Sequence, residues 1–205
     1  MIRKRLVFLL VYFVIFCAHV AVASSSPTDS LRPTLEGVID VIRDPNLAGV
    51  DHKKVRREKV MAIATRGFDF TEMSKRALGA TWRDLSQEER QYFEELFTKL
   101  LENAYIGKLE GYSGQEIVYQ DERIKGNRAA VATIVKSSDT APFSVSYVML
   151  QSGSDWLVYD LNIEGVSFLR NYSEQFKSIL RKDKFAGLVK ILEEKNETFE
   201  KEESN

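Results

Sequence analysis

The chain has 205 residues, with 29 lysines and arginines against 30 aspartates and glutamates, and a single cysteine. That length supports one domain with a substantial core and is short for two. The near-neutral balance, with no basic stripe carrying interleaved aromatics, excludes an electrostatically driven nucleic-acid binder.

The first segment stands apart from the rest. Met1 to Arg5 is a short basic start, Leu6 to Ala18 is almost unbroken apolar sequence, and Ala21-Val22-Ala23 supplies a small-x-small pattern. Together these predict a secretory signal peptide over residues 1–23, cleaved between Ala23 and Ser24. The apolar run ends at His19, short for a hydrocarbon core of ~30 Å, which disfavours an uncleaved anchor. Lipid attachment at Cys17 is disfavoured by the bulky Phe16 before it. Cleavage removes Cys17, so the mature chain forms no disulfide. It also removes Arg3, Lys4 and Arg5, taking 29 basic residues to 26 against 30 acidic, a formal charge of −4.

Helical periodicity starts at Leu31 and continues through Leu35, Val38, Ile39 and Ile42, with Pro33 tolerable only near the helix start and Asp44-Pro45 at its end. A second helix is expected over Lys53 to Thr65. Its early turns carry Lys53, Lys54, Arg56, Arg57 and Lys59, either a patch for an acidic partner or a solvated face. Asp69 and Glu72 have capping-box spacing for a short helix ending at Leu78-Gly79, and Ser86 with Glu89 repeats the device. The second box opens the longest helix, about Gln87 to Leu109, whose Tyr92, Phe93, Leu96, Phe97, Leu100, Leu101, Ala104 and Tyr105 form one wide apolar face. Gly107, Gly111 and Gly114 loosen the chain beyond it and mark a hinge candidate.

From Gln115 the apolar period changes to two. Strands are predicted at Glu116–Ile124, Arg128–Lys136, Phe143–Gln151 and Trp156–Ile163, and their short connections favour an antiparallel meander. Two helices follow, roughly Val166–Leu180 and Asp183–Lys195, then an acidic tail. The expected architecture is α+β: a curved four-stranded antiparallel sheet packed against N-terminal and C-terminal helices. The layout is a signal peptide over 1–23, one domain over 24–198 and a flexible acidic tail over 199–205.

The strands are apolar on both faces. Leu157, Tyr159, Leu161 and Ile163 alternate with Trp156 and Val158, while Phe143, Val145, Tyr147 and Met149 alternate with Val148 and Leu150. An antiparallel sheet with one wet face is polar at every second position. Both faces therefore need cover: from helices, from a partner, or from a ligand tail inside a cavity. The pattern alone does not separate a filled core from a lined pocket.

Catalytic chemistry has little to work with. After cleavage His52 is the only histidine and no cysteine remains, which argues against a histidine-rich or thiolate metal site and against a serine triad. No phosphate-binding glycine loop is present. Asp160 and Glu164 are carboxylates without distinctive spacing, and the Asn171 and Asn196 glycosylation patterns carry little weight.

Phe68-Asp69-Phe70, Leu78-Gly79, Trp82, Leu85-Ser86-Gln87-Glu88-Glu89-Arg90, Phe93, Phe97, Val158-Tyr159-Asp160-Leu161, Ile163-Glu164-Gly165-Val166-Ser167 and Asn171-Tyr172 occur in an order and spacing that resembles the MlaC, or toluene-tolerance, family over roughly Leu31 to Lys195. The resemblance implies a periplasmic phospholipid carrier, not an enzyme, with lipid as cargo and no cofactor. It implies exchange with an inner-membrane MCE-domain protein and its ABC transporter, and with an outer-membrane lipoprotein-porin complex, in support of outer-membrane lipid asymmetry. Alternatives are a periplasmic adaptor or chaperone with no stable lipid, and a small-ligand enzyme of similar fold. If tails are enclosed, the expected cavity lining is Phe97, Leu101 and Tyr105 from the long helix with Val131, Val145, Tyr147, Val158 and Tyr159 from the sheet. Arg90 and Lys99 are headgroup candidates only by their place on that helix.

Overall fold

The structure is a computed structural model and describes residues 25–110, 114–137 and 141–203. The expected signal peptide and Gly111 lie outside these. Helix α1 spans Pro27–Arg43, and its start is set by Ser26, whose hydroxyl accepts from the Asp29 amide at 3.0 Å. This start precedes the expected Leu31, so Pro33 falls inside the helix. Pro33 is exposed, while Leu31 and Thr34 face inward, and their burial outweighs the backbone hydrogen bond that proline forgoes. Two short 3-10 turns lead to α2, Lys53–Gly67. The helices α1 and α2 run antiparallel in near backbone contact, and a Cβ at Gly67 would collide with the Thr34 side chain.

The basic cluster on α2 is partly structural. Arg56 donates to the Leu47 carbonyl at 2.6 Å, and the buried Arg57 pairs with Glu102 at 2.5 Å and bonds Asn103. After α2 come α3, Phe70–Leu78, α4, Thr81–Asp84, and α5, Gln87–Glu110. Both expected caps form. The Asp69 carboxylate accepts from the Glu72 amide at 2.8 Å. Ser86 and Glu89 bond reciprocally, the Ser86 amide to the glutamate at 2.8 Å and the Glu89 amide to the serine hydroxyl at 3.2 Å. Helix α5 continues through Gly107, so the expected hinge does not begin there.

The sheet is an antiparallel meander in the order β1-β2-β3-β4-β5, with β1 Glu116–Lys125, β2 Arg128–Lys136, β3 Phe143–Ser152, β4 Asp155–Ile163 and β5 Val166–Ser167. It therefore has five strands, not four. The Glu164-Gly165 turn folds the chain back for two residues, pairing Ile163 with Val166, before the last helix starts. The β1 edge is blunted by charged residues and by a register shift between Tyr119 and Glu122.

Helix α6, Phe168–Glu203, is broken at Lys184, where φ is 61°. Its contacts show that the two arms are a hairpin. Residues 168–183 run antiparallel to α5: Tyr105 meets Phe168, Phe97 meets Tyr172, and Phe93 meets Phe176. Residues 185–203 return parallel to it, with Tyr92 bonded to Glu193 at 2.5 Å, the Leu96 carbonyl accepting from Asn196 at 3.0 Å, and Lys99 4.0 Å from Glu200. This agrees with two terminal helices, but the second runs further than expected. Asn196 is buried and Phe199 packs on the core, which holds the acidic segment helical through Glu203.

Apolar residues gather into two clusters on opposite sides of the sheet. One joins Phe93, Phe97, Leu100, Leu101, Phe176, Leu188 and Leu192 to α3 and to Tyr159. The other lies between α1 and the sheet, around Leu31, Val131, Val145, Tyr147, Met149, Trp156 and Val158.

Candidate functional site

The strand register arranges the sheet face beneath α1 in rows, and burial fades from one row to the next. Ala129, Met149 and Val158 are aligned neighbours, 4%, 0% and 0% exposed. In the next row, Val131 and Tyr147 are buried and Leu161 is half-buried. Thr133 and Val145 are buried beside Ile163, which is 40% exposed. That row ends on β5 at Val166, which is 66% exposed, and the last row, Ile117, Val135 and Phe143, is half-buried throughout. A side chain of Val, Leu, Ile or Phe contributes about 1.5–3 kcal/mol when fully buried. A row of them left partly in water is where apolar cover is missing.

The phenols along this face are un-ionised, and the Arg32 guanidinium lies 4.0 Å over the Tyr119 ring at its edge. Burial raises the Tyr147 phenol to about 12, countered in part by the Thr133 hydroxyl. Burial also raises Tyr119, whose hydroxyl is enclosed with no hydrogen-bond partner among the described residues. At the rim the chain turns through β5 into α6. Phe168, the first residue of that helix, packs its ring 4.9 Å from Tyr105 and 5.1 Å from Tyr172. Burial first, and then the Tyr105 hydroxyl, push the Tyr172 phenol well above its ordinary range. The rim of the α1 face is thus aliphatic, and the rings that follow it in the chain pack with the opposite cluster and are un-ionised. Such a surface takes up hydrocarbon and offers no acid, base or nucleophile.

The eight residues expected to line a cavity do not share one wall. Val131, Val145, Tyr147 and Val158 lie on the α1 face. Phe97, Leu101 and Tyr159 belong to the other cluster, and Tyr105 packs at its margin. Val158 and Tyr159 part company as neighbours on a strand do. The strand then departs from simple alternation: the register shifts so that Val148 pairs with Asp160 and Met149 with Val158, leaving Tyr159 as an extra residue. Leu161 consequently joins the cluster of Val158 rather than that of Tyr159. Sequence reasoning left out Val135, Phe143, Leu161, Ile163 and Val166, because membership of the rim depends on register and on this bulge.

Residues weighed for other chemistry have structural partners. Asp160 accepts from the Leu161 amide at 2.8 Å, the Leu169 amide at 2.9 Å and the Ser167 hydroxyl at 2.7 Å, fixing the corner between sheet and α6. Glu164 accepts from the Ser144 amide, which lowers its carboxyl pKa. Arg90 holds the Trp82 carbonyl at 2.9 Å and the Arg83 carbonyl at 3.1 Å, while Lys99 pairs with Glu102 at 3.5 Å. Among the described residues no group of three or more His, Cys, Asp or Glu is placed to hold a metal, and no helix is long and apolar enough to cross a membrane.

The model of the MlaC protein family matches residues 32–194, most of the described chain. The chain belongs to the MlaC family. It is 28% identical over 120 residues to an intermembrane phospholipid transport system binding protein of Haemophilus influenzae, 56% of each chain. It is 26% identical over 102 residues to the toluene tolerance protein Ttg2D of Pseudomonas putida, 49% of this chain and 47% of that one. The alignments thus span about half the length of these relatives. A phospholipid-binding protein of Ralstonia solanacearum, solved in complex with a phospholipid, shares the fold with a TM-score of 0.76 at 24% identity, covering 85% of this chain and 99% of that one. The α+β fold is therefore that of the family.

Proposed function

We propose that the protein is a periplasmic phospholipid carrier that encloses acyl tails between the α1 face of its sheet and the adjoining helices. The burial gradient from Met149 to Val166 carries this reading, because it ends in an apolar rim without cover. Family membership and the phospholipid bound to the Ralstonia solanacearum protein support it. The energetic need is large: a diacyl lipid has on the order of 30 CH₂ groups at ~0.8 kcal/mol each, so roughly 20 kcal/mol of exposure is avoided by enclosure. No covalent step is involved, and the cargo is the lipid itself. The predicted signal peptide delivers the chain to the periplasm. There it exchanges cargo with an inner-membrane MCE-domain protein and ABC transporter and with an outer-membrane lipoprotein-porin complex, maintaining outer-membrane lipid asymmetry.

A second reading, an adaptor that binds a client protein without stable lipid, is favoured by the same exposed Ile163 and Val166. Detergent-free purification from a Gram-negative host followed by native and denaturing mass spectrometry separates the two. A carrier arrives with near-stoichiometric phospholipid. A lipid-free protein after gentle handling supports the adaptor and overturns the carrier.

A further inference from the structure

The opposite face of the sheet holds a different kind of cavity. A cleft of about 750 Å³ opens between α3, α4, the start of α6 and the outward side of β2 to β4. Its lining includes Lys75, Arg76, Arg83, Arg128 and Arg170, against two acids, Glu72 and Asp160. Both acids are already engaged. Asp160 spends its oxygens on two amides and a hydroxyl, and Glu72 pairs with Lys75 at 3.0 Å and Arg76 at 2.6 Å. Burial by itself pushes the Glu72 carboxyl up, but the hydrogen bonds from Lys75 and Arg76 outweigh it and hold it below its ordinary value. Arg83, Arg128 and Arg170 have no acidic partner among the described residues.

Arg76 is built into the cleft wall. Its guanidinium lies 4.0 Å above the Tyr159 ring and one arm is held by Glu72, yet its Nε–H is buried with no acceptor. The guanidinium is therefore fixed in the wall, and its charge adds to the positive field that Arg83, Arg128 and Arg170 set up in the cleft. Four of the five cations are arginines, whose planar forks match the oxygens of phosphate in pairs. The local excess of positive charge stands against a mature chain of net negative charge. The sheet separates this cleft from the apolar rim: Val148 and Tyr159 face it, while Tyr147 and Val158 face α1.

We propose that this cleft is a second ligand site, which binds a phosphate group through Arg83, Arg128 and Arg170, beside the fixed charge of Arg76. The phosphate belongs either to a soluble phosphate ester or to the headgroup of a lipid at a membrane surface. In the full mature protein, the Arg76 Nε–H resonance is followed by NMR during titration with glycerol 3-phosphate. In parallel, binding to phosphatidylglycerol vesicles is compared with phosphatidylcholine vesicles by sedimentation. Saturable movement of that resonance with glycerol 3-phosphate identifies a soluble ester. Sedimentation with phosphatidylglycerol but not phosphatidylcholine vesicles, without movement of the resonance in glycerol 3-phosphate, identifies a headgroup. Either outcome supports the site.

Arg83 and Arg170 are exposed and make no side-chain contact that holds the fold, so the double variant Arg83→Glu, Arg170→Glu is expected to fold and to keep any lipid enclosed at the rim. Loss of two charge-assisted contacts is expected to weaken phosphate binding by roughly tenfold or more. The conservative Arg83→Lys, Arg170→Lys pair should restore most of it. No movement of the Arg76 resonance with glycerol 3-phosphate together with no binding to phosphatidylglycerol vesicles, or binding that the charge-reversed variant retains in full, would overturn the site. A response only to a carboxylate-rich peptide would also overturn it, by assigning the cleft to an acidic protein partner.

Discussion

The two sides of the sheet solve the problem of apolar cover differently. On the helical side, rings close against rings: Phe176 lies 5.8 Å from Phe93 and 5.3 Å from Phe97, both edge-on, and Phe93 and Phe97 are 0% and 1% exposed. On the α1 side the residues are mostly aliphatic, and a single helix covers the first rows before the cover gives out at Ile163 and Val166. The ring cluster of the first side is packed closed, with the cleft opening beside it at α3, and the second side leaves apolar residues exposed at its rim. An excess of apolar residues in a sequence therefore does not by itself mark a binding cavity; its distribution between closed and open sides does.

The largest effect that distinguishes the sides is on stability. Phe97→Ala opens the ring cluster and is expected to cost about 3–5 kcal/mol, read from urea unfolding. Lipid carried per folded molecule should stay close to that of the parent. A variant that unfolds normally but loses its lipid would move Phe97 from the core to the cavity wall.

A smaller effect follows from the phenol under α1. Tyr147 has its folded-state pKa raised to about 12, above the unfolded value of 10.0. Below pH 10 both states keep the proton and this residue adds no pH dependence. Above it the unfolded chain loses the proton first, so stability falls as pH rises, by about 2–3 kcal/mol from this residue by pH 12. Tyr147→Phe should flatten that part of the alkaline unfolding profile. An unchanged slope would show the hydroxyl to be wet, and the α1 side more open than its burial indicates.

The smallest effect on stability belongs to the rim. Val166→Glu alters an exposed side chain and should change stability by no more than about 0.5 kcal/mol. Co-purifying lipid should nevertheless fall severalfold, because the charge sits where tails enter. Ile124→Glu serves as the control, since Ile124 is 55% exposed but pairs with Ala129 at the far end of the same face. Equal loss in both variants would mean that surface charge, not the rim, governs loading.

Much of the fold was legible because local signals agreed with it. The Asp69 and Ser86 caps, the length of α5 and the ends of β2 are all set by neighbouring residues, and each stands where the pattern put it. The exceptions depend on contacts distant in sequence. Pro33 is carried inside α1 because Leu31 is buried against the sheet and Thr34 against the end of α2. Asn196 and Phe199 keep the acidic end helical by reaching α5 and the ring cluster. The candidate site was less legible than the fold. Alternation identified β4 as two-sided, but the extra residue at Tyr159 changes which side Leu161 takes, and no local pattern announces it. The basic cleft was missed for a related reason: Arg76, Arg83, Arg128 and Arg170 come from α3, α4, β2 and α6, and only the fold assembles them.

The claim that tails lie at the open rim is tested most directly by photo-crosslinking. A photoreactive phenylalanine analogue is placed at Val166, or at Ile124 as the distant control, in protein loaded with phospholipid in the cell. Illumination followed by mass spectrometry should give acyl-chain adducts at position 166 and essentially none at position 124. Adducts absent at 166 while the protein still carries lipid would contradict the account and place the tails elsewhere in the fold.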